Sequence, residues 1–169
     1  GDPDIQRAIL RAQDRAVAAA VDHLEQHACR TRMGKGGAEV VAGDGFVGAA
    51  FRHRTSRAGD PQIHTHVLVG NATRRPDGQW GTLDGRALFA EARTAGYVHE
   101  AVFRHELTRE LGVEWGPVRK GIADIEGVPQ RVIRAFSRRR ADVQAKIAEW
   151  GRTGLVARQT AAQAPRARK

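Results

Sequence analysis

Three of the seven histidines fall within fourteen residues of one another. His64 and His66 are separated by a single residue, and His53 lies eleven positions before His64. Side chains of a β-strand alternate between its two faces, so His64 and His66 are expected to point the same way, with Thr65 on the opposite face. Neutral imidazoles are common ligands of divalent transition ions, and three of them leave a coordination position open. The spacing therefore predicts a metal site.

His53 belongs to a different predicted strand from the other two histidines. It lies near the end of a strand over 46–54, and the turn SRAGDP at 56–61 leads into a strand over 62–74. Directly opposite residues of an antiparallel pair share a face, so a register with 53 opposite 64 or 66 brings all three imidazoles together. A register with 53 opposite 65 would turn His53 away. Cupins and metallo-β-lactamase-type hydrolases also use a His-x-His pair, but the acids they require are missing from the VLVGN that follows.

The elements around this hairpin indicate an α+β fold. Helix is predicted over 1–32, with Asp2 as its cap, and from a cap at Asp84 to Leu111, where Gly112 ends it. A last helix is predicted from Pro129 to about Trp150. Further strands are predicted at 38–42, 113–118 and 121–127. Helices and antiparallel hairpins in this order predict a central antiparallel sheet with flanking helices. Apolar spacing in the first helix predicts a buried stripe of Val17, Val21, Leu24 and Ala28.

The net charge of +9 is unevenly distributed along the chain. Residues 131–169 contain eleven Lys and Arg but two acids, so this quarter carries the whole excess. A basic block of this kind is typical of proteins that bind nucleic acid, although a solvated helix face would look the same. The candidate phosphate contacts are Lys35, Arg54, Arg57, Arg138, Arg139 and Arg140.

No apolar run reaches the length of about 18 residues that a membrane span requires, so no membrane insertion is predicted. The single cysteine, Cys29, excludes an internal disulfide and fits a reducing cytoplasm.

The residues around the three histidines resemble a known family. FRHRTSRAGDPQIHTHVLVGN, at 51–71, is similar to the HUH motif region of conjugative relaxases of the TrwC/MobF type. The resemblance continues, in the family's order, through DGQWGTLDGRALF, YVHEAVFRHELTRELGVEW and IEGVPQRVIRAFSRRRADV. It covers about residues 1–150, which are expected to form a relaxase domain with a HUH palm. Residues 151–169 are expected to form a basic tail or linker.

The resemblance implies a function and a cofactor. In that family the three motif histidines, here His53, His64 and His66, hold a divalent metal ion, with Mg, Mn and Zn all open. The implied activity is site- and strand-specific nicking of single-stranded DNA at a plasmid transfer origin, through a covalent tyrosine–DNA intermediate. The implied location is the bacterial cytoplasm, with other relaxosome and type IV secretion proteins as further partners.

The sequence departs from the family at the nucleophile. The family's catalytic tyrosines lie near the N-terminus, whereas the one tyrosine here is Tyr97, predicted on a helix among apolar neighbours. We therefore expect no catalytic residue in this chain, and expect the nucleophile and some N-terminal strands of the sheet to lie upstream of residue 1. The chain alone is expected to be inactive. The alternatives are a non-catalytic DNA-binding remnant of the relaxase fold, or an unrelated metal-dependent hydrolase.

Overall fold

The computed structural model describes residues 1–151 and 154–163. Five helices and six strands follow one another, with a short 3-10 turn at Lys35–Gly37: α1 Pro3–Ala28, β1 Arg30–Met33, β2 Glu39–Ala42, β3 Gly48–Thr55, β4 Pro61–Val69, β5 Thr73–Arg74, β6 Trp80–Gly81, α2 Gly85–Leu111, α3 Gln130–Ala135, α4 Arg138–Glu149 and α5 Leu155–Gln163.

The strands of the described residues pair as three two-stranded ladders, β1–β2, β3–β4 and β5–β6. The first and third are antiparallel. The β3–β4 hairpin is closed at its turn by the Ser56 amide, which donates to the Asp60 carbonyl at 2.9 Å. At its open end the Gly70 amide donates to the Val47 carbonyl at 2.7 Å. The predicted class, helices combined with antiparallel strands, is confirmed.

Helix α1 begins as predicted but ends earlier. The Asp2 carboxylate accepts a hydrogen bond from the Asp4 amide at 2.7 Å, and Pro3 opens the helix. The helix stops at Ala28, and Arg30–Met33 form β1 where the sequence predicted helix. These residues pair with β2 instead of continuing the helix, and the buried Thr31 hydroxyl donates to the Thr82 carbonyl at 2.8 Å.

The buried face of α1 is made mainly of alanines; of the predicted stripe, Ala28 is buried and Leu24 is half-buried. Ala8, Ala12 and Ala16 are buried, whereas Val17 and Val21 are half-buried. Small side chains let two helices approach closely, and the matching residues of α2 are Ala95 and Leu107, both buried. The larger valines of α1 instead border a groove beside β3 and β4.

Both predicted ends of α2 are confirmed. The Asp84 carboxylate accepts from the Arg86 amide at 3.1 Å, which caps the first turn. Gly112 adopts a left-handed conformation with φ of 65°, and its amide donates to the Thr108 carbonyl at 2.9 Å. A residue with a Cβ atom disfavours this conformation, which explains the glycine.

Four further predicted elements differ from those observed. The strand predicted over 62–74 breaks at Gly70, and Thr73–Arg74 pair with Trp80–Gly81 as a separate ladder. The segment 113–127 contains isolated bridges, such as Trp115 to Ile125, instead of two strands. The last predicted helix is divided at Phe136–Ser137 into α3 and α4.

The chain divides into two compact units. The first contains Gly1–Arg52 and Thr65–Gly127, with the α1–α2 pair at its centre. The second contains His53–His64, which is the outer part of the β3–β4 hairpin, and the chain from Val128 onward. Within the predicted tail, α5 is described, while 152–153 and 164–169 lie outside the described residues. The boundary at residue 150 between relaxase domain and tail stays a prediction.

Candidate metal centre

The β3–β4 hairpin brings the three histidines together on one face. His53 projects from β3, and His64 and His66 project from β4. One ring nitrogen from each lies within 4.8 Å of the other two. The rings of His53 and His64 meet edge to face, with centroids 5.2 Å apart and an interplanar angle of 80°. The predicted shared face is confirmed, and no other group of three His, Cys, Asp or Glu in the described chain has this spacing.

The opposite face of the hairpin contacts α1. The Thr65 hydroxyl accepts a hydrogen bond from the buried Gln13 side chain at 3.4 Å. Arg52, which precedes His53, donates to both carboxylate oxygens of Asp14 at 2.7 and 2.9 Å. Because side chains alternate along a strand, anchoring residues 52 and 65 on α1 directs 53, 64 and 66 away from it.

The ring of His64 is oriented by its own strand. Its Nδ1 lies 3.2 Å from the carbonyl oxygen of Gln62. A carbonyl oxygen accepts only, so Nδ1 carries the proton in this contact and Nε2 keeps the lone pair. Metal-binding histidines are commonly oriented by a hydrogen bond of this kind from the other ring nitrogen.

The donor set fits a divalent ion. Imidazole nitrogens bind zinc at about 2.0–2.1 Å, so two of them on one ion are at most about 4.2 Å apart. The observed nitrogen separations, all within 4.8 Å, exceed this range by at most about 0.6 Å. His53 and His66 are exposed and His64 is half-buried, so a bulky substrate can approach the same face.

The turn between the two histidine-bearing strands contains a buried carboxylate. The Asp60 side chain is 3% exposed. Its Oδ1 accepts from Nε of Arg138 at 2.7 Å, and its Oδ2 accepts from the Arg139 amide at 3.1 Å. The hydrogen bond from Arg138 is the main cause that holds the pKa of Asp60 below its usual value of 3.8. Sequence patterns do not point to this residue, because its two arginine partners lie nearly 80 positions away.

The predicted DNA contacts occupy three places in the chain. Arg54 lies on β3 and Arg57 in the following turn, so both flank the histidine hairpin. Lys35 lies in the short 3-10 turn. The first turn of α4 contains Arg138, Arg139 and Arg140. Their side-chain environments differ. Arg138 is paired with Asp60, and the Arg139 guanidinium donates to the Ala162 carbonyl. All six except Arg139 are exposed, including Arg138.

His23 and Tyr97, which lie outside the histidine cluster, have structural contacts. Nε2 of His23 lies 3.1 Å from a carboxylate oxygen of Glu91, which joins α1 to α2. This hydrogen bond is the main cause that lowers the pKa of Glu91. Tyr97 on α2 is 43% exposed and its ring packs over Gly121, where an added Cβ would lie 2.3 Å from a ring carbon. The apolar neighbours of Tyr97 predicted a buried side chain packed against the sheet; the ring is instead exposed and lies against a loop glycine.

The family model described as TrwC relaxase matches residues 1–169. The chain belongs to the TrwC relaxase family. It is 34% identical over 151 residues to the multifunctional conjugation protein TraI of Escherichia coli, covering 83% of this chain and 8% of TraI. It is 33% identical over 150 residues to TraI of Escherichia coli strain K12, with the same coverage of each chain.

Solved structures of TrwC have the same fold. The conjugative relaxase TrwC in complex with mutant oriT DNA is 33% identical, with a TM-score of 0.86 over the whole of this chain and 60% of that one. The metal-bound TrwC–oriT DNA complex is 31% identical, with a TM-score of 0.84 over 96% of this chain and 58% of that one. The relaxase resemblance found in the sequence is thus confirmed. This chain spans less than two thirds of those relaxase chains and a small part of TraI.

None of the described TrwC-like helices has both the length and the apolar character needed to cross a bilayer.

Proposed function

We propose that this chain is the metal-bearing part of a conjugative relaxase that nicks single-stranded DNA at a plasmid transfer origin. The observation that carries the proposal is the convergence of His53, His64 and His66 on an exposed face, in a chain of the TrwC relaxase family. Two TrwC structures similar to this chain are described as complexes with oriT DNA, one of them metal-bound, which supports both a DNA substrate and a metal.

The three imidazoles would hold a divalent ion, of which Mg, Mn and Zn are the candidates. Such an ion, when bound, polarises a phosphate oxygen and offsets the negative charge that develops on it during cleavage. The Gln62 carbonyl accepts from Nδ1 of His64 and would orient the ring for binding through Nε2. The exposed position of His53 and His66 leaves room for a DNA strand to cross this face.

Basic side chains beside the hairpin would hold the DNA backbone. Arg54 and Arg57 follow His53 within four residues, which suits contacts to the phosphates on either side of the scissile one. Lys35, Arg139 and Arg140 are proposed as further phosphate contacts. Phosphate contacts release counterions, so binding should weaken steeply with salt. Deleting residues 131–169 should reduce that dependence. We place this activity in the bacterial cytoplasm, with relaxosome and secretion proteins as further partners.

Cleavage needs a nucleophile held in line with the leaving oxygen. Tyr97 is the one tyrosine of the sequence, and its ring packs over Gly121, which suits a structural role. We therefore propose that the catalytic tyrosine is not among these 169 residues and that the chain alone does not cleave DNA.

The test is a labelled transfer-origin oligonucleotide analysed on a denaturing gel. The chain alone, with Mg²⁺, Mn²⁺ or Zn²⁺, should give no cleavage. A fusion that adds the N-terminal segment of a matched TrwC should give cleavage and a covalent protein–DNA product, and His53→Ala in that fusion should abolish both. A covalent adduct formed by the chain alone and lost in Tyr97→Phe would instead make Tyr97 the nucleophile. DNA binding without cleavage in the fusion would favour a non-catalytic DNA-binding module.

A further inference from the structure

The turn between β3 and β4 is fixed by hydrogen bonds to α4 as well as within itself. Inside the turn, the Ser56 hydroxyl accepts from the amides of Ala58 and Asp60 at 3.1 and 3.2 Å. The same hydroxyl lies 3.3 Å from Oδ2 of Asp60. The Asp60 carboxylate also accepts from the Arg138 side chain and the Arg139 amide. Both of its oxygens are therefore committed to protein donors.

Helix α4 depends on this carboxylate for its first turn. Ser137 precedes the helix, but its side chain makes no capping hydrogen bond. The first amides of a helix have no acceptor within the helix, and a negative charge there is favoured by the helix dipole. Asp60 supplies the acceptor and the charge from a distant part of the sequence. The contact thus joins the turn of the histidine hairpin to the start of a helix that opens with three arginines.

We propose that Asp60 is a positioning residue for the metal centre, and that Arg138 serves this carboxylate rather than a DNA phosphate. The inference rests on the proposed metal site. Asp60 lies four residues before His64 and seven after His53, between the two strands that must bring their rings together. Turn geometry fixes hairpin register, so a loosened turn displaces His53 relative to His64. Residues that orient metal ligands typically change affinity 10–100-fold when replaced.

A phosphate contact and a positioning contact give different results in the absence of DNA. If Arg138 binds phosphate, its replacement lowers affinity for DNA and leaves metal affinity unchanged. If Arg138 holds Asp60, its replacement weakens metal binding when no DNA is present. The exposure of Arg138, whose side chain is 61% accessible, does not distinguish the two roles, whereas its 2.7 Å bond to a buried oxygen favours the second.

The experiment is calorimetric titration of the metal-free chain with Zn²⁺. Asp60→Asn and Arg138→Gln should each weaken Zn²⁺ binding about tenfold. The double variant should bind no more weakly than the weaker single variant, because both changes break the same contact. Arg138→Lys, which keeps a donor and the charge, should restore most of the affinity.

Two control variants separate positioning from general effects. Arg11→Gln removes an ion pair to Glu110 of α2 at 2.6 Å, so it should lower thermal stability without changing Zn²⁺ affinity. Arg140→Gln, two positions from Arg138, should weaken DNA binding and leave Zn²⁺ affinity unchanged. The inference would be overturned if Asp60→Asn and Arg138→Gln both kept wild-type Zn²⁺ affinity and Arg138→Gln lost DNA affinity as Arg140→Gln does.

Amide hydrogen exchange in the metal-free chain tests the contact independently of the metal. Arg138→Gln should speed exchange at the Ser56 and Arg139 amides, and Arg140→Gln should not. Unchanged exchange in Arg138→Gln would refute the contact itself. A wild-type chain that binds no Zn²⁺, Mn²⁺ or Mg²⁺ would contradict both the proposed function and the positioning role. Faster amide exchange in Arg138→Gln would in that case still confirm that Arg138 holds the turn.

Discussion

The α1–α2 helix pair and the β3–β4 hairpin are stabilised in opposite ways. The helices bury alanines of α1, including Ala12, and the larger Leu107 of α2. The hairpin buries little, and all eight residues of β3 are exposed. Its position depends on a few polar contacts, at Arg52 and Thr65 on one face and at Asp60 in the turn. The comparison indicates that buried side chains of the helix pair stabilise the fold. The hairpin buries less, and its histidines remain accessible to solvent.

Ion pairs reinforce the helix pair where apolar burial ends. Glu106 and Glu110 of α2 accept hydrogen bonds from Arg15 and Arg11 of α1, and Arg109 donates to both acids. The two carboxylates are largely covered, whereas the arginines are half-exposed. The proposed metal face has no comparable network of acids among the groups described for it.

The largest expected effect is on the free energy of unfolding, when a leucine is truncated to alanine in each of the two regions. Leu107→Ala on α2 should lower the free energy of unfolding by about 2–5 kcal/mol, because it leaves a cavity in a packed core. Leu68→Ala on β4, where the side chain is 63% exposed, should change it by less than about 0.5 kcal/mol. Urea unfolding followed by circular dichroism measures both. Equal losses would show that the hairpin is as tightly packed as the helices.

The second expected effect is on metal affinity, where a change in the hairpin should matter more than one in the helix pair. His53→Ala should weaken Zn²⁺ binding at least about tenfold, because it removes one of three ligands. His105→Ala, at an exposed position of α2, should leave the affinity unchanged. Calorimetric titration measures the affinity, and unfolding in the presence of a chelator should be the same for both variants. A fall in metal affinity for His105→Ala would place the ligands elsewhere.

The third effect is acid sensitivity of the helix pair. Hydrogen bonds from Arg109 and Arg15 hold the pKa of Glu106 below its usual value of 4.5, and one from Arg11 does the same for Glu110. A depressed folded-state pKa means that the ionised form stabilises the fold, so this stability is present above 4.5 and is lost as pH falls further. Glu106→Gln should flatten the loss of stability between about pH 5 and 3. A wild-type slope in Glu106→Gln would show that the pairing contributes nothing.

The smallest effect concerns DNA binding by α4. Arg140→Ala should reduce the slope of log affinity against log salt concentration by about 0.7, the value for one phosphate contact to a single strand. Arg7→Ala on α1, where the guanidinium pairs with Asp4, should leave the slope unchanged. Fluorescence anisotropy with a labelled single-stranded oligonucleotide measures both. An equal reduction of the slope in both variants would mean that DNA binding depends on the net charge of the chain and not on the position of Arg140.

The parts of the molecule that follow local rules could be predicted from the sequence. The alternation of side chains along a strand was enough to place His64 and His66 together with Thr65 opposite, and capping residues were enough to bound α2. The parts that depend on distant contacts could not. The Thr31 hydroxyl of β1 donates to the Thr82 carbonyl, 51 positions away, and the Asp60–Arg138 pair joins residues 78 positions apart. Neither of these long-range contacts produces a periodic pattern of residues in the sequence.

The three hairpins have consequences for the order of folding. Each pair, β1–β2, β3–β4 and β5–β6, is joined by five residues, whereas 56 residues separate α1 from α2. Short loops close within about 10–100 ns and hairpins form within about 1–10 μs, while distant contacts form more slowly. His53 and His64 therefore meet early during folding, before the helix pair assembles. An ion captured at that stage would act as a nucleus for the rest of the domain.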